Sequence, residues 1–297
     1  MPIDPLHRPL AERIERAVGR SPVSFRAIQR GYTPAARYVV SFSNGETLFA
    51  KMASNELTAG WLRDEHRIYG ALSGSFLPRL HGWDDDGVAP LLVIEDLSGA
   101  HWPPPWKDGH VDMLLETLET VASSSLAGLP RMDNDSGLGA GWRGVAADPE
   151  PFLGLGIASA RWLDRALPVL LDAMEKVVLA GDALLHCDVR SDNLCLIDGR
   201  VVLVDWNWAC IGNGRIDRGA LLPSLHAEGG PLPDLLMPDG WDMAATMSGY
   251  FARNAGLPAI PDAPFVRHIQ RRQLATALPW AVRALELPPL DGRINAV

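Results

Sequence analysis

The chain has 297 residues, 27 basic and 36 acidic side chains, and a net charge of −9. That length is enough for two separate cores, and it carries no basic stripe with interleaved aromatics, so a nucleic-acid partner is not expected. No apolar run reaches a membrane span, and the first twenty residues hold scattered charges without a signal-peptide core. The expectation is a cytoplasmic protein with no membrane partner.

The first third reads as strands with one or two helices. Residues 11–18 fit a short helix. FRAIQRGYTPAARYVVSF places a Gly-containing turn between two strand-like segments, and Asn44-Gly45-Glu46 is a hairpin signal leading into the strand TLFAKMA. ELTAGWLRDEHRIYGAL has helical spacing through Leu57, Trp61, Leu62, Ile68 and Leu72. Two strands then flank Asp84-Asp85-Asp86, which reads as a solvated turn rather than a metal site. A break falls at Ser98-Gly99. This divides the chain into an N-terminal lobe, residues 1–96, and a C-terminal lobe, residues 97–297.

From about residue 110 the pattern is helical. VDMLLETLETVASSSL is amphipathic, and residues 157–180 form a helical stretch that Pro168 is expected to split, because a mid-helix Pro removes a backbone bond. GLGAG at 137–141 and GLG at 154–156 read as loops. LCLI and VVLV are short strands joined by Asp198-Gly199. Helices follow at about 238–255 and 264–286, the second with Asp262 as N-cap, Pro264 in its first turn and Pro279 as a kink point. The fold class is α+β, a small β-rich lobe before a larger, mainly helical one. Cys187, Cys195 and Cys210 form no CxxC pair or zinc spacing and read as small buried apolar residues.

LLHCDVRSDN at 184–193, followed by VVLVDWNW from 201, carries the chemistry. Asn193 and Asp205 supply oxygen ligands suited to Mg²⁺, leaving Asp188 to accept a proton from a hydroxyl. Phosphoryl transfer needs that division of labour. His186 reads as a loop-orienting core histidine. Lys51 lies inside an apolar strand, where an unpaired ammonium is costly, so a carboxylate partner is required; Glu65 on the next helix is the candidate. The turn Arg30-Gly31-Tyr32-Thr33 can cover phosphates with backbone N–H groups.

These residues resemble the aminoglycoside phosphotransferase and choline kinase-like family, small-molecule relatives of the protein kinases. The specific part is His-x-Asp-x-x-x-x-Asn at 186–193 with Asp205 after an apolar strand. The resemblance extends from the Gly31 turn to about Asp217. It implies a bilobal protein kinase-like fold, ATP or GTP as phosphoryl donor, Mg²⁺, and a hydroxyl acceptor. It further implies Asp188 as catalytic base, Asn193 and Asp205 as metal ligands, a connector whose backbone at Glu95 and Leu97 meets the purine edge, and Asp217 as support for the loop. Arg190 can stabilise the transferring phosphate or pair with Asp192 or Asp217. There are departures: Cys187 stands where many relatives have Gly, Asn207 where an acidic residue is common, and Arg190-Ser191-Asp192 where many have His-Pro-Gly. The acceptor is open between a cationic antibiotic and a metabolite alcohol. Asp234, Asp239, Asp242 and Asp262 can attract amines or serve as ordinary surface and cap residues. A non-catalytic nucleotide-binding role would be marked by loss of Lys51, Asp188, Asn193 or Asp205, and all four are present.

Overall fold

The computed structural model describes residues 7–29, 34–135, 137–261 and 263–293. In chain order the elements are α1 (Arg8–Val18), β1 (Pro22–Ala27), β2 (Ala36–Phe42), β3 (Thr47–Met52), α2 (Glu56–Ala71), β4 (Leu80–Asp84) and β5 (Leu91–Glu95). Then come α3 (His110–Ser123), α4 (Gly141–Ala147), α5 (Glu150–Leu153), α6 (Ala160–Lys176), β6 (Ala183–Leu185), β7 (Leu194–Ile197) and β8 (Arg200–Leu203). A 3₁₀ turn at Trp206–Trp208 leads to β9 (Cys210–Gly212), α7 (Arg215–Ala227), α8 (Pro233–Leu236), α9 (Trp241–Ala255) and α10 (Val266–Ala284). No helix among the described residues is long and apolar enough to cross a membrane. The chain divides into two compact units: one runs to Trp102 and takes in Asn193–Trp208, and the other comprises Pro103–Asp192 and Ala209 onward.

In the first unit, an antiparallel sheet has the order β1-β2-β3-β5-β4. Successive strand side chains point to opposite faces. Leu48 and Ala50 of β3 therefore share a core with Leu10 and Ile14 of α1, Val40, Leu91 and Val93, while Lys51 faces the other way. α2 begins at a capping box, in which Asn55 accepts the Thr58 N–H at 2.9 Å and the Thr58 hydroxyl accepts the Asn55 N–H at 3.1 Å. Its buried stripe is Thr58, Ala59, Leu62, Glu65, Ile68 and Tyr69. This corrects the expected face, because Leu57 is exposed. The three aspartates at the β4–β5 turn are surface groups: Asp84 pairs with Arg13 at 2.6 Å, Asp85 with Arg63 at 2.8 Å, and Asp86 accepts the Val88 and Ala89 N–H groups. The hairpin β7–β8 belongs to this unit, with Cys195 and Val202 packed against Leu97.

The second unit is built around α9, whose residues from Asp242 to Gly249 are all buried. It packs against α4, α5, α6, α7 and α10. Two expectations fail here. α6 is continuous through Pro168, because Trp162, Leu163, Ala166, Leu170, Ala173 and Met174 all bury along one side; that packing outweighs the lost backbone bond. Likewise α10 begins at Val266, after the N-cap Phe265, so Pro264 precedes the helix, and Pro279 lies within it. Asp262 and the Gly31 turn (residues 30–33) lie outside the described residues. GLGAG is also more than a loop, since its last glycine opens α4 against α9. A Cβ on Gly141 would stand 2.5 Å from the carbonyl carbon of Gly249. Gly141→Ala is therefore expected to destabilise the chain by about 1–3 kcal/mol through overpacking, read as a lowered thermal unfolding midpoint. An unchanged midpoint would mean that α4 and α9 part freely.

Candidate active site

In the first unit, Lys51, Glu65 and Asp205 come together. The Lys51 ammonium donates to Glu65 Oε2 at 2.8 Å and also to Asp205 Oδ1. Burial alone would pull the Lys51 pKa down; Asp205 and Glu65 override it and hold the pKa above the ordinary lysine value. Burial pushes Glu65 up, with Lys51 opposing. Tyr69 joins the network: its hydroxyl donates to Glu65 Oε1 at 2.8 Å. Sequence reading did not single out Tyr69, although the signal was available, since Glu65 and Tyr69 are four apart on α2 and so share a face.

Asp205 stands just past β8 with φ +62°, a left-handed conformation that is costly for a residue other than glycine. The neighbouring turn supports it. Buried Trp206 donates its indole N–H to the Leu203 carbonyl at 2.9 Å and packs on Phe76. In the amide orientation that satisfies both its atoms, Asn207 donates to the Asp205 carbonyl and accepts from Trp208 Nε1, each at 3.1 Å. Asn207 thus braces the backbone of Asp205 at the position where an acidic residue is common. Asn193 is buried in the same unit, and its carbonyl accepts the Val204 N–H at 2.9 Å, tying the residue before β7 to the one after β8. Among the described residues no group of three or more His, Cys, Asp or Glu side chains forms a metal cage. An amide oxygen and one carboxylate fit a Mg²⁺ ion that also takes phosphate and water oxygens.

At the connector after β5, the Glu95 side chain is committed elsewhere. It accepts from Arg200 at 2.6 Å and from the Arg79 N–H at 3.1 Å, and its own N–H goes to the Arg79 carbonyl. The Leu97 carbonyl accepts from the Ala100 N–H and the Trp102 indole, each at 3.0 Å. The Leu97 N–H makes no hydrogen bond with a described residue, which leaves it able to meet a ligand.

In the second unit, β6 and β9 pair, and the chain leaves β6 into the loop carrying Asp188. His186 is fully buried, and its Nδ1 accepts the Asp188 N–H at 3.2 Å, an orienting role. Asp217, in the first turn of α7, accepts the His186 N–H at 2.6 Å and the Cys187 N–H at 2.8 Å, one on each oxygen. Its role is to hold the loop backbone, so Arg190 pairs with Asp192 at 3.0 Å and Asp188 at 3.3 Å. Cys187 takes φ +66°, a left-handed conformation that glycine adopts most readily. Burial first, then the Asp188 charge, pushes the phenol of Tyr250 on α9 up.

Sequence reading also missed Glu228, just past α7. Its Oε1 accepts the Ser191 hydroxyl at 2.5 Å and its Oε2 the Trp106 indole at 3.0 Å. One carboxylate thus ties the loop to the Pro-rich segment after residue 102. Glu228→Ala is expected to cost about 1.5–3 kcal/mol, the range for hydrogen bonds to a charged group, with the midpoint of thermal unfolding as the readout. Glu228→Gln should recover part of that loss. The acidic residues of the C-terminal helices are spoken for: Asp234 pairs with Arg283 at 2.5 Å, while Asp242 and Asp239 pair with Arg215 at 2.9 and 3.6 Å.

An antiparallel sheet bearing a buried Lys–Glu pair, followed by a helical unit with a buttressed His-x-Asp loop, is a protein kinase-like α+β fold. Solved structures match it. A choline/ethanolamine kinase family protein from Mesorhizobium loti aligns with TM-score 0.58 at 14% identity, covering 89% of this chain and 92% of that one. A spectinomycin phosphotransferase solved with ADP and spectinomycin aligns with TM-score 0.55 at 12% identity, covering 91% and 86%. Macrolide 2′-phosphotransferase MphH from Brachybacterium faecium aligns with TM-score 0.53 at 13% identity, covering 94% and 92%. No curated protein sequence matches the chain. The model of the phosphotransferase enzyme family, APH, matches residues 23–250, and the chain belongs to that family.

Proposed function

We propose that this phosphotransferase moves the γ-phosphoryl group of ATP or GTP to a hydroxyl of a small molecule. The supporting observation is the buried Lys51, held between Glu65 and Asp205. A cation built into a strand this way has a clear use against nucleotide phosphates. In this reading the N-terminal lobe, residues 1–96, binds nucleotide through Lys51, the Gly31 turn and the backbone at Glu95 and Leu97. The C-terminal lobe, residues 97–297, supplies the catalytic loop and the acceptor surface. Asp188 accepts the proton of the acceptor hydroxyl as its oxygen bonds to phosphorus, and Arg190 offsets charge on the transferring group. Asn193 and Asp205 would hold Mg²⁺, which supplies charge neutralisation on the nucleotide phosphates.

The acceptor is a hydroxylated small molecule, either an antibiotic such as an aminoglycoside or a metabolite alcohol. Release of nucleoside diphosphate with Mg²⁺ and ATP or GTP, across a panel of both kinds, tests the reading. The expected result is acceptor-dependent release. Absence of both nucleotide binding by calorimetry and release across the panel would overturn it.

A further inference from the structure

Cys187 and Cys210 have no part in the chemistry proposed above, yet their sulfurs lie 3.2 Å apart. The arrangement is built by the fold. The β6–β9 register sets Leu185 opposite Cys210, and Cys187 follows two residues later in its left-handed turn. Asp217 holds the Cys187 N–H, so the loop is anchored while the two sulfurs meet. A disulfide has an S–S length of about 2.05 Å. The remaining gap between the sulfurs is about 1 Å. Cys195 is fully buried in the other compact unit and has no such neighbour. With no third ligand in reach among the described residues, the pair is not a metal site.

We propose that Cys187 and Cys210 form a thiol pair that a hydroperoxide oxidises to an intramolecular disulfide next to Asp188. The sulfur–sulfur contact does not order the two thiols, and hydrogen peroxide is a small oxidant; the step runs from Cys210 and equally from Cys187. The Cys210 thiolate attacks one peroxide oxygen, the O–O bond breaks, and the departing hydroxide takes a proton to become water. This leaves a sulfenic acid on Cys210. The Cys187 sulfur then bonds to the Cys210 sulfur, the S–OH bond breaks, and the hydroxide leaves with the Cys187 proton as a second water. Two thiols and one peroxide give one disulfide and two waters; the sulfurs lose two electrons and the peroxide gains them.

The test is peptide mapping by mass spectrometry of the folded, full-length chain after treatment with hydrogen peroxide in the presence of dimedone, which traps sulfenic acids. The wild type should give a peptide pair joining residues 187 and 210, lighter by two hydrogens and restored by dithiothreitol, with Cys195 unmodified. Cys187→Ser should instead accumulate a dimedone adduct on Cys210. Cys210→Ser should likewise accumulate the adduct on Cys187, and this arm serves alone if Cys187→Ser does not fold. A wild-type chain that shows no 187–210 link, or links only after denaturation, overturns the proposal. So does a single-serine variant of the pair in which the remaining thiol gives no adduct. All these readouts are independent of phosphoryl transfer, so the two ideas stand or fall separately.

Discussion

Asp188→Asn is expected to lower acceptor-dependent turnover by about 10²–10⁴-fold, the usual contribution of a positioned general base. The substitution keeps the size of the side chain and its hydrogen-bonding capacity toward Arg190, which stands 3.3 Å from Asp188 Oδ1. It also keeps the Asp188 N–H on His186. The carboxylate's charge and its ability to take a proton are removed, so the ion pair with Arg190 becomes a neutral contact. Nucleotide affinity should stay within about twofold of the wild type, because the proposed nucleotide contacts belong to Lys51, Asn193 and Asp205, and binding outside the reacting centre is uniform between ground and transition states. Single-turnover kinetics with an accepted substrate, beside nucleotide calorimetry, separates the two effects. Retention of more than half the wild-type turnover would falsify the assignment of Asp188 as base.

The site residues that were legible in the sequence were those for which one physical demand had few solutions. A lysine inside TLFAKMA needs a carboxylate, and the next helix offered Glu65, which the structure places on it at 2.8 Å. The His-x-Asp loop read correctly in its histidine, which is buried and takes the Asp188 N–H on its ring. Glu228 was illegible because its partners, Ser191 and Trp106, lie 37 and 122 residues away, and no local pattern marks such a bridge. The Pro168 rule failed because it prices one lost hydrogen bond and not the six side chains that α6 buries around it. On α2, Leu57 lies in the first turn and is exposed, while the buried side is the one that carries Glu65 to Lys51. The sulfur contact between Cys187 and Cys210 was equally hidden, since it depends on the register of two three-residue strands.

Lys51→Met should be the most destabilising single change at the site, by about 3–5 kcal/mol, the cost of breaking a buried ion pair by removing one partner. Methionine matches the length of the lysine stem and fills its space, so the loss is electrostatic rather than a cavity. Glu65 has a side chain only 2% exposed, and it would keep Tyr69 while losing its cation. The pH dependence follows from sign. Lys51 has a raised pKa in the folded chain, so the stability it contributes is present below the unfolded lysine pKa of about 10.4 and is lost as pH rises through the higher folded value. Glu65 has a raised pKa as well, so its contribution to stability is present below the unfolded glutamate pKa of about 4.3 and is lost as pH rises through its folded value. Without Lys51 that folded value climbs further, because the cation that opposed burial is gone. The deficit of Lys51→Met should therefore be greatest at neutral pH and shrink on acidification as Glu65 takes up a proton. Adding Glu65→Gln to Lys51→Met should recover part of the stability at neutral pH and flatten the pH profile. Denaturant melts of the wild type, the single variant and the double variant across that range measure this directly. A deficit independent of pH would place the loss in packing and remove the ion pair from the account of how this site is held.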